Sequence, residues 1–299
     1  MRKSQHIIRP LVACICISAA IAWAAPQDVF AWLEDQNQDA FIQVVRNGAV
    51  IPYDRGVGLQ PCDSVSFSPA APPGATTVAI STADGSRLLI ERYQKPVTIR
   101  CTSPVGLTRE VAAFVQALIG KSNQRMSQIV GTRGGADCHD HSDLDVPLLS
   151  KANVPTMLVA GRPGIALTLV GSHIPFDVEL ASPAGAVVAH ETLVQQHFLR
   201  ISAQAIRPGR YQLRVRDSCG GGIEDDDFNV VSADQRPAIP ELLANLPDPG
   251  RTIFYADYLI ALNDGRWGLE ALQLVAALPR DNPAVAGWLE QWGGGSNGI

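Results

Sequence analysis

One short segment of the sequence concentrates side chains that bind metal ions. Between Cys138 and Asp145, six of eight residues are potential ligands, and His139, His141 and Asp143 alternate with other residues. Imidazole nitrogens and carboxylate oxygens suit Zn²⁺, which in catalytic sites lowers the pKa of a bound water to about 7. The spacing therefore raises the hypothesis of a zinc-dependent hydrolase centred on His139, His141 and Asp143.

This spacing resembles the metal-binding core of metallo-β-lactamase-like hydrolases. The resemblance implies a buried strand directly before the motif and a further histidine ligand late in the chain. Here a glycine-rich stretch, Gly131 to Ala136, precedes it, and no histidine follows His197. The two candidate additional ligands, His197 and Cys219, both lie in a pattern of strands. We therefore keep the zinc hydrolase as the alternative, and favour a protein with no catalytic residues and no cofactor.

The N-terminus has the three parts of a secretory signal peptide. Basic residues at positions 2, 3 and 9 precede an apolar run from Leu11 to Ala22, and Ala22-Trp23-Ala24 fits a cleavage site. The run of about twelve residues is shorter than the roughly 20 that cross a bilayer as a helix. We predict cleavage after Ala24, no transmembrane span in the mature protein, and a periplasmic or secreted location. Retention of the segment as an anchor is the alternative.

Charge and cysteine content narrow the function further. Loss of three basic residues with the signal leaves 21 Lys and Arg against 29 Asp and Glu, a net charge of −8. This balance argues against binding to nucleic acid or anionic membranes, which requires a basic face. Four cysteines remain, and in an oxidising compartment they predict two disulfides among three pairings. We favour Cys62 with Cys101, inside one module, and Cys138 with Cys219; unpaired cysteines are the alternative.

Short strands dominate two parts of the chain. Asn47-Gly48 between apolar runs is a strong hairpin signal, because both turn positions favour positive φ. The expected strands of a first all-β module are 41–46, 49–51, 63–67, 77–81, 87–91 and 97–101. Alternating apolar and polar residues later predict seven strands of an immunoglobulin-like sandwich, at 156–160, 165–170, 175–181, 186–190, 198–202, 210–217 and 227–231.

Helical periodicity separates and follows these modules. Apolar residues from Leu107 to Ile119 fall on one helical face, with Thr108 placed to cap the start and Gly120 to end the helix. The segment from Ser122 to Lys151 is expected to be irregular. Helices are predicted at 240–245, 253–262 and 267–278, and a last one begins at Pro283 with Asn282 as its cap.

The predicted fold class is therefore mainly β with an α appendage. It combines a small N-terminal β-module, a connecting helix, an immunoglobulin-like β-sandwich and C-terminal helical hairpins. The expected segments are a signal peptide (1–24), the β-module (25–104), helix and irregular linker (105–152), the sandwich (153–233), a helical region (234–292) and a disordered tail (293–299).

Several motifs carry a family resemblance. The hairpin, Leu59-Gln60-Pro61-Cys62-Asp63 and Thr82-Ala83-Asp84-Gly85-Ser86 resemble a FecR-type envelope β-domain. With later motifs such as Pro208-Gly209-x-Tyr211, the chain resembles uncharacterised exported bacterial proteins that pair this domain with an immunoglobulin-like module. The resemblance implies an envelope location and binding or scaffolding of an envelope protein or polymer, and it supplies no catalytic residues. A cleavable signal, in place of a cytoplasmic helix and a membrane span, argues against transmembrane iron signalling.

Overall fold

A computed structural model describes most of the chain. The described residues are 29–34, 40–53, 58–101, 107–130, 144–149, 155–170, 173–203, 206–219, 222–262 and 265–292. The predicted signal peptide and the predicted disordered tail lie outside them. The structure is mainly β, with several sheets and C-terminal helices, which confirms the predicted fold class.

The N-terminal module consists of two small antiparallel sheets. One sheet has the order β1-β5-β6 and the other the order β3-β2-β4-β7. The strands are β1 (Ala31–Leu33), β2 (Ile42–Arg46), β3 (Ala49–Ile51), β4 (Ser64–Phe67), β5 (Thr77–Thr82), β6 (Arg87–Glu91) and β7 (Val97–Thr98). Both sheets contribute to one apolar core, in which Ile80 of β5 and Val65 of β4 are fully buried.

The hairpin and the first disulfide were both predicted correctly. Asn47 and Gly48 have positive φ values of 52° and 78°, and Arg46 pairs with Ala49 across the turn. Cys62 and Cys101 form a disulfide, so the bridge lies within this module as expected. Cys219 is also disulfide-bonded. Its predicted partner, Cys138, lies outside the described residues.

The connecting helix, α1 (Arg109–Val130), is longer than the sequence indicated. Its start is as predicted, because Thr108 Oγ1 accepts a hydrogen bond from the Val111 N–H at 3.4 Å. The expected end at Gly120 is wrong, and so is the expected irregular start at Ser122. A mid-helix glycine costs only about 1 kcal/mol. The buried face around Val115 and Ile119 packs into the core of the C-terminal helices, which offsets that cost.

All seven predicted sandwich strands are present. A sheet of order β11-β10-β13-β14-β8 faces a two-stranded sheet of β12 and β9 across a shared apolar core. The strands are β8 (Thr156–Val159), β9 (Gly164–Thr168), β10 (Phe176–Ala181), β11 (Val187–Val194), β12 (Phe198–Ser202), β13 (Gly209–Arg216) and β14 (Gly222–Val231). Strand β8 runs parallel to β14, and the other pairs are antiparallel.

A tyrosine at the start of β13 fixes the connection before it. The Tyr211 hydroxyl accepts a hydrogen bond from the Arg207 N–H at 3.2 Å, and its ring stacks on Phe228 with the centroids 5.7 Å apart. A tyrosine that bonds back to the backbone a few residues upstream is a feature of immunoglobulin-like sandwiches. This feature supports the predicted sandwich type.

Replacing Tyr211 with phenylalanine is expected to lower the free energy of unfolding by about 1 kcal/mol, because the hydrogen bond from the Arg207 N–H is lost while the ring packing stays. Urea denaturation followed by circular dichroism measures the change. Tyr93→Phe is the matched control, since Tyr93 is 94% exposed and its variant should unfold like the wild type. Equal stability of the Tyr211→Phe and Tyr93→Phe variants would contradict a stabilising role for the Tyr211 hydroxyl.

Four helices complete the described chain. They are α2 (Glu241–Ala244), α3 (Gly250–Ala261), α4 (Gly268–Ala276) and α5 (Pro283–Trp292). As predicted, Asn282 caps α5, and its Oδ1 accepts the Ala284 N–H at 2.9 Å. No helix in this part of the chain is long and apolar enough to cross a bilayer.

The helices form the largest of the three apolar clusters and contact both β-modules. Trp32 of β1 enters this cluster from the N-terminal module, and Val159 and Ala166 enter it from the sandwich. Trp32 lies against Phe254 of α3, with the ring centroids 6.2 Å apart. The helical region therefore connects the two β-modules through a common core.

Candidate functional site

The predicted zinc site remains a prediction. His139, His141 and Asp143 lie outside the described residues. Across the ranges that the structure describes, no group of three or more His, Cys, Asp or Glu residues is arranged to hold a metal ion.

The two candidate additional ligands have other partners. One ring nitrogen of His197, Nδ1, lies 3.0 Å from the Leu169 carbonyl oxygen, and the ring packs edge-on against Phe176. The sulfur of Cys219 is held in a disulfide. Both residues therefore have structural roles that account for their positions in the sandwich.

A small polar cavity lies where the N-terminal module meets the helices. Its volume is about 30 Å³, which is room for one or two water molecules and too little for an organic substrate. The polar side chains around it belong to the N-terminal module, on β5, on β6 and directly after β1, and to α3 and α5. They are Glu34, Ser81, Arg87, Asp257 and Gln291.

Glu34 supplies a paired carboxylate on one side of this cavity. Its side chain is nearly buried and forms a two-point ion pair with Arg87, from Nε and from Nη2, both at 2.8 Å. The Ser81 hydroxyl donates a third hydrogen bond to the same carboxylate at 2.9 Å. These contacts join the end of β1 to β5 and β6.

Asp257 faces the cavity from α3 without a cationic partner among the described residues. It is 6% exposed and accepts a hydrogen bond from the Trp288 indole N–H at 2.9 Å. Burial raises the pKa of Asp257 to about 7, the nearby negative charge of Glu34 also raises it, and the Trp288 hydrogen bond lowers it. The carboxyl group therefore exchanges its proton near neutral pH.

A second buried carboxylate joins α4 to the sandwich. Glu270 is fully buried; it pairs with Arg162 at 2.5 Å and with Arg236 at 3.4 Å, and it accepts the Val159 N–H of β8 at 3.1 Å. Three donors from two segments, 159–162 and Arg236, thus converge on one side chain.

Helix α4 also closes the edge of the second sheet. Gln273 accepts the Ala166 N–H at 2.7 Å and donates to the Ala166 carbonyl at 2.9 Å, as a neighbouring strand would. At β8, the Met157 N–H donates a hydrogen bond to the Arg266 carbonyl oxygen at 2.7 Å. Two edges of the sandwich are therefore closed by the helical region.

The edge formed by β11 is different. It is the outermost strand of the five-stranded sheet, and no described residue hydrogen-bonds to its outer side. Val187, Val188 and Leu193 are 52%, 40% and 72% exposed. The pairing of β11 with β10 shifts register at Val188 and near Leu193, and Leu193 has a positive φ of 56°. These shifts mark β-bulges, which turn apolar side chains outward.

The same pattern recurs in the N-terminal module. Val50 on the outermost strand β3 and Leu89 on the outermost strand β6 are 64% and 53% exposed. Of the nine large apolar side chains exposed in the described part of the chain, six lie on or beside outermost strands. These six are Val50, Leu89, Tyr93, Val187, Val188 and Leu193.

Comparison with known proteins does not assign the chain to a family. No family model matches it, and no curated protein matches it. Among solved structures, a "Biofilm associated protein - BSP domain" aligns over 62% of this chain and 31% of its own length, at 12% identity and a TM-score of 0.23. This likeness is too slight to assign a fold or a function, and the FecR-type resemblance stays a prediction.

Sequence reasoning missed the buried carboxylates and located the strands. Asp257 lies among Ile253, Phe254 and Ile260, and a carboxylate inside an apolar helical stripe is the signal that could have revealed it. Glu270 is likewise a carboxylate within an apolar helical stripe, between Leu269 and Ala271.

Proposed function

We propose that this chain is a non-enzymatic, exported envelope protein that binds another protein through the open edges of its β-sheets, chiefly β11. The proposed location, periplasmic or secreted, rests on the signal sequence at 1–24 and on the disulfide within the first module. The proposed relationship to FecR-type modules rests on the motifs of residues 41–101.

One observation carries the proposal: the outer edge of β11 is not bonded by the helical region, in contrast to the edges of β8 and β9, and it carries exposed apolar side chains. The outer side of β8 and the edge of β9 are bonded by the helical region. Successive residues of a strand point to opposite faces. The bulge at Val188 interrupts this alternation, and Val187 and Val188 are both exposed, so apolar surface faces solvent at this end of β11.

An exposed apolar strand edge is a typical protein-docking surface. Its unpaired backbone groups can hydrogen-bond to an extended segment, and its apolar side chains lose water on contact. The bulges limit the regular part of β11 to Ala189–Glu191, which pairs residue by residue with Val178–Leu180. Recognition is therefore expected to depend on the protruding valines more than on a long strand ladder.

The helices pack against both β-modules. The common core formed with β1, α1, β8 and β9 joins the two modules, which favours a surface that keeps its shape on binding. A rigid surface loses little entropy on binding. Two β-modules joined in this way are suited to a scaffolding protein that presents several sheet edges to a partner at once.

The double variant Val187→Lys/Val188→Lys is expected to lose at least about tenfold in affinity for the partner, because two charges replace the buried centre of the contact. Immobilised mature protein is incubated with envelope extract, the retained protein is identified, and its affinity is then measured by biolayer interferometry with the purified partner. Circular dichroism checks that each variant is folded.

Ile239→Lys/Leu242→Lys is the matched control. Its two residues are 42% and 40% exposed and lie outside the sheets, so partner binding should stay within about twofold of the wild type. The proposal fails if the β11 variant retains the same protein as the wild type, or if both double variants lose it equally.

A further inference from the structure

Two exposed arginines, Arg200 and Arg280, lie on the same face of β12. Leu199 and Ile201 point into the sandwich core, so the alternating residues Phe198 and Arg200 lie on the opposite face. The connection between α4 and α5 covers this face, and the guanidinium carbon of its Arg280 lies 4.1 Å above the centre of the Phe198 ring. Arg200 donates to the Ala276 carbonyl at the end of α4.

Neither guanidinium has an acidic partner among the described residues. By contrast, Arg87, Arg162 and Arg251 each pair with a carboxylate within 2.8 Å. The neighbouring Asp281 forms no ion pair with Arg280. Two positive charges therefore lie on one face of β12 with no carboxylate partner among the described residues, on a chain whose net charge is −5.

Arg280 lies within electrostatic reach of Arg200. The pKa of Arg280 is lowered, first by partial burial and second by the positive charge of Arg200. Both side chains are held in place, one by the Phe198 ring and one by the helix carbonyl. Held guanidiniums with unused N–H donors suit an oxyanion, because charge-assisted bonds to phosphate are short and strong.

We propose that Arg200 and Arg280 form a binding site for a phosphoryl group, free or carried on an envelope polymer. The charge of about −1.5 to −2 on a phosphoryl group near pH 7 matches the two guanidiniums, whereas a carboxylate carries one charge. The site lies on β12 and the α4–α5 connection, and it is independent of the β11 edge.

Isothermal titration calorimetry of the mature protein tests the site, with inorganic phosphate and polyphosphate as ligands and acetate as the singly charged comparison. Wild type is expected to bind phosphate with a Kd of about 1 mM or tighter, and Arg200→Gln/Arg280→Gln to lose at least about tenfold. Binding of inorganic phosphate supports a free-ion site. Binding of polyphosphate alone supports a phosphorylated polymer.

The single variant Arg280→Gln guards against loss of folding, because Arg280 packs on the ring of Phe198, whereas Arg200 bonds the carbonyl at the end of α4. It should weaken phosphate binding at least threefold while thermal unfolding stays unchanged. Arg251→Gln is the charge-matched control, and its binding should equal that of wild type.

Three outcomes would overturn the site. They are no binding of either phosphate ligand by wild type, equal binding by wild type and the double variant, and acetate binding as tight as that of phosphate.

Discussion

Replacing Glu270 with glutamine is expected to lower the free energy of unfolding by about 3 kcal/mol. The variant keeps the shape of the side chain and removes its charge, which leaves Arg162 and Arg236 without the carboxylate on which they converge. Breaking a buried ion pair by removing one partner costs about 3–5 kcal/mol. Because Arg162 is 23% exposed, solvent screens part of this loss, and we expect the lower end of the range.

Guanidinium denaturation, followed by circular dichroism and by tryptophan fluorescence, measures the change. Glu241→Gln is the control, since Glu241 lies exposed in the first turn of α2 and its loss should change stability by less than about 0.5 kcal/mol. A second comparison uses Arg162→Met/Glu270→Met, which removes both charges and should recover part of the loss. A Glu270→Gln protein as stable as wild type would show that the carboxylate does not hold α4 on the sandwich.

Most strands and helices could be predicted from the sequence because their signals are local. Alternation over Phe176 to Ala181 and the Asn47-Gly48 turn depend only on neighbouring residues, and both were correct. The Asn282 cap of α5 is another local signal that the structure confirms. Several strand ends differ from the prediction, by up to five residues at the start of β14, since the ends depend on what packs against them.

The features that were missed depend on contacts between distant segments. Helix α1 continues past Gly120 because its buried face packs against α3, which lies more than 100 residues later. In the sequence, Asp257 and Glu270 are each a single acidic residue within an apolar helical stripe. Their roles depend on partners in other elements, which the sequence does not identify. The open edge of β11 could not be separated from the closed edge of β8 by sequence, because closure comes from Arg266 and Glu270.

The ionisation of Asp257 is expected to make the protein less stable as the pH rises from about 4 to about 7. The native carboxyl keeps its proton up to a pKa of about 7, whereas an unfolded aspartate loses its proton near pH 3.9. Within this window the unfolded state binds fewer protons, so the free energy of unfolding falls with pH. The fall is about 1.4 kcal/mol per pH unit and levels off above pH 7, for a total of about 3–4 kcal/mol.

Asp257→Asn should remove this dependence, because an amide of the same shape still accepts the Trp288 N–H and does not ionise. The measurement is the free energy of unfolding of both proteins from pH 4 to pH 8. The difference between variant and wild type is expected to grow in favour of the variant through the window and to stay constant above pH 7. Burial raises the pKa values of Asp84 and Asp248, but their hydrogen bonds outweigh it and lower both pKa values on balance, so these groups act mainly below pH 4, and they are common to both proteins.

Asp234→Asn provides the matched control, because Asp234 is exposed and its replacement removes the same charge. That variant should follow the wild-type profile throughout. If the Asp257→Asn profile also ran parallel to wild type, the proton near pH 7 would belong to another group. A diverging profile would place a proton-dependent contact between α3 and α5, beside the Glu34–Arg87 pair. Loss of that proton would then loosen the helical region that fixes both β-modules.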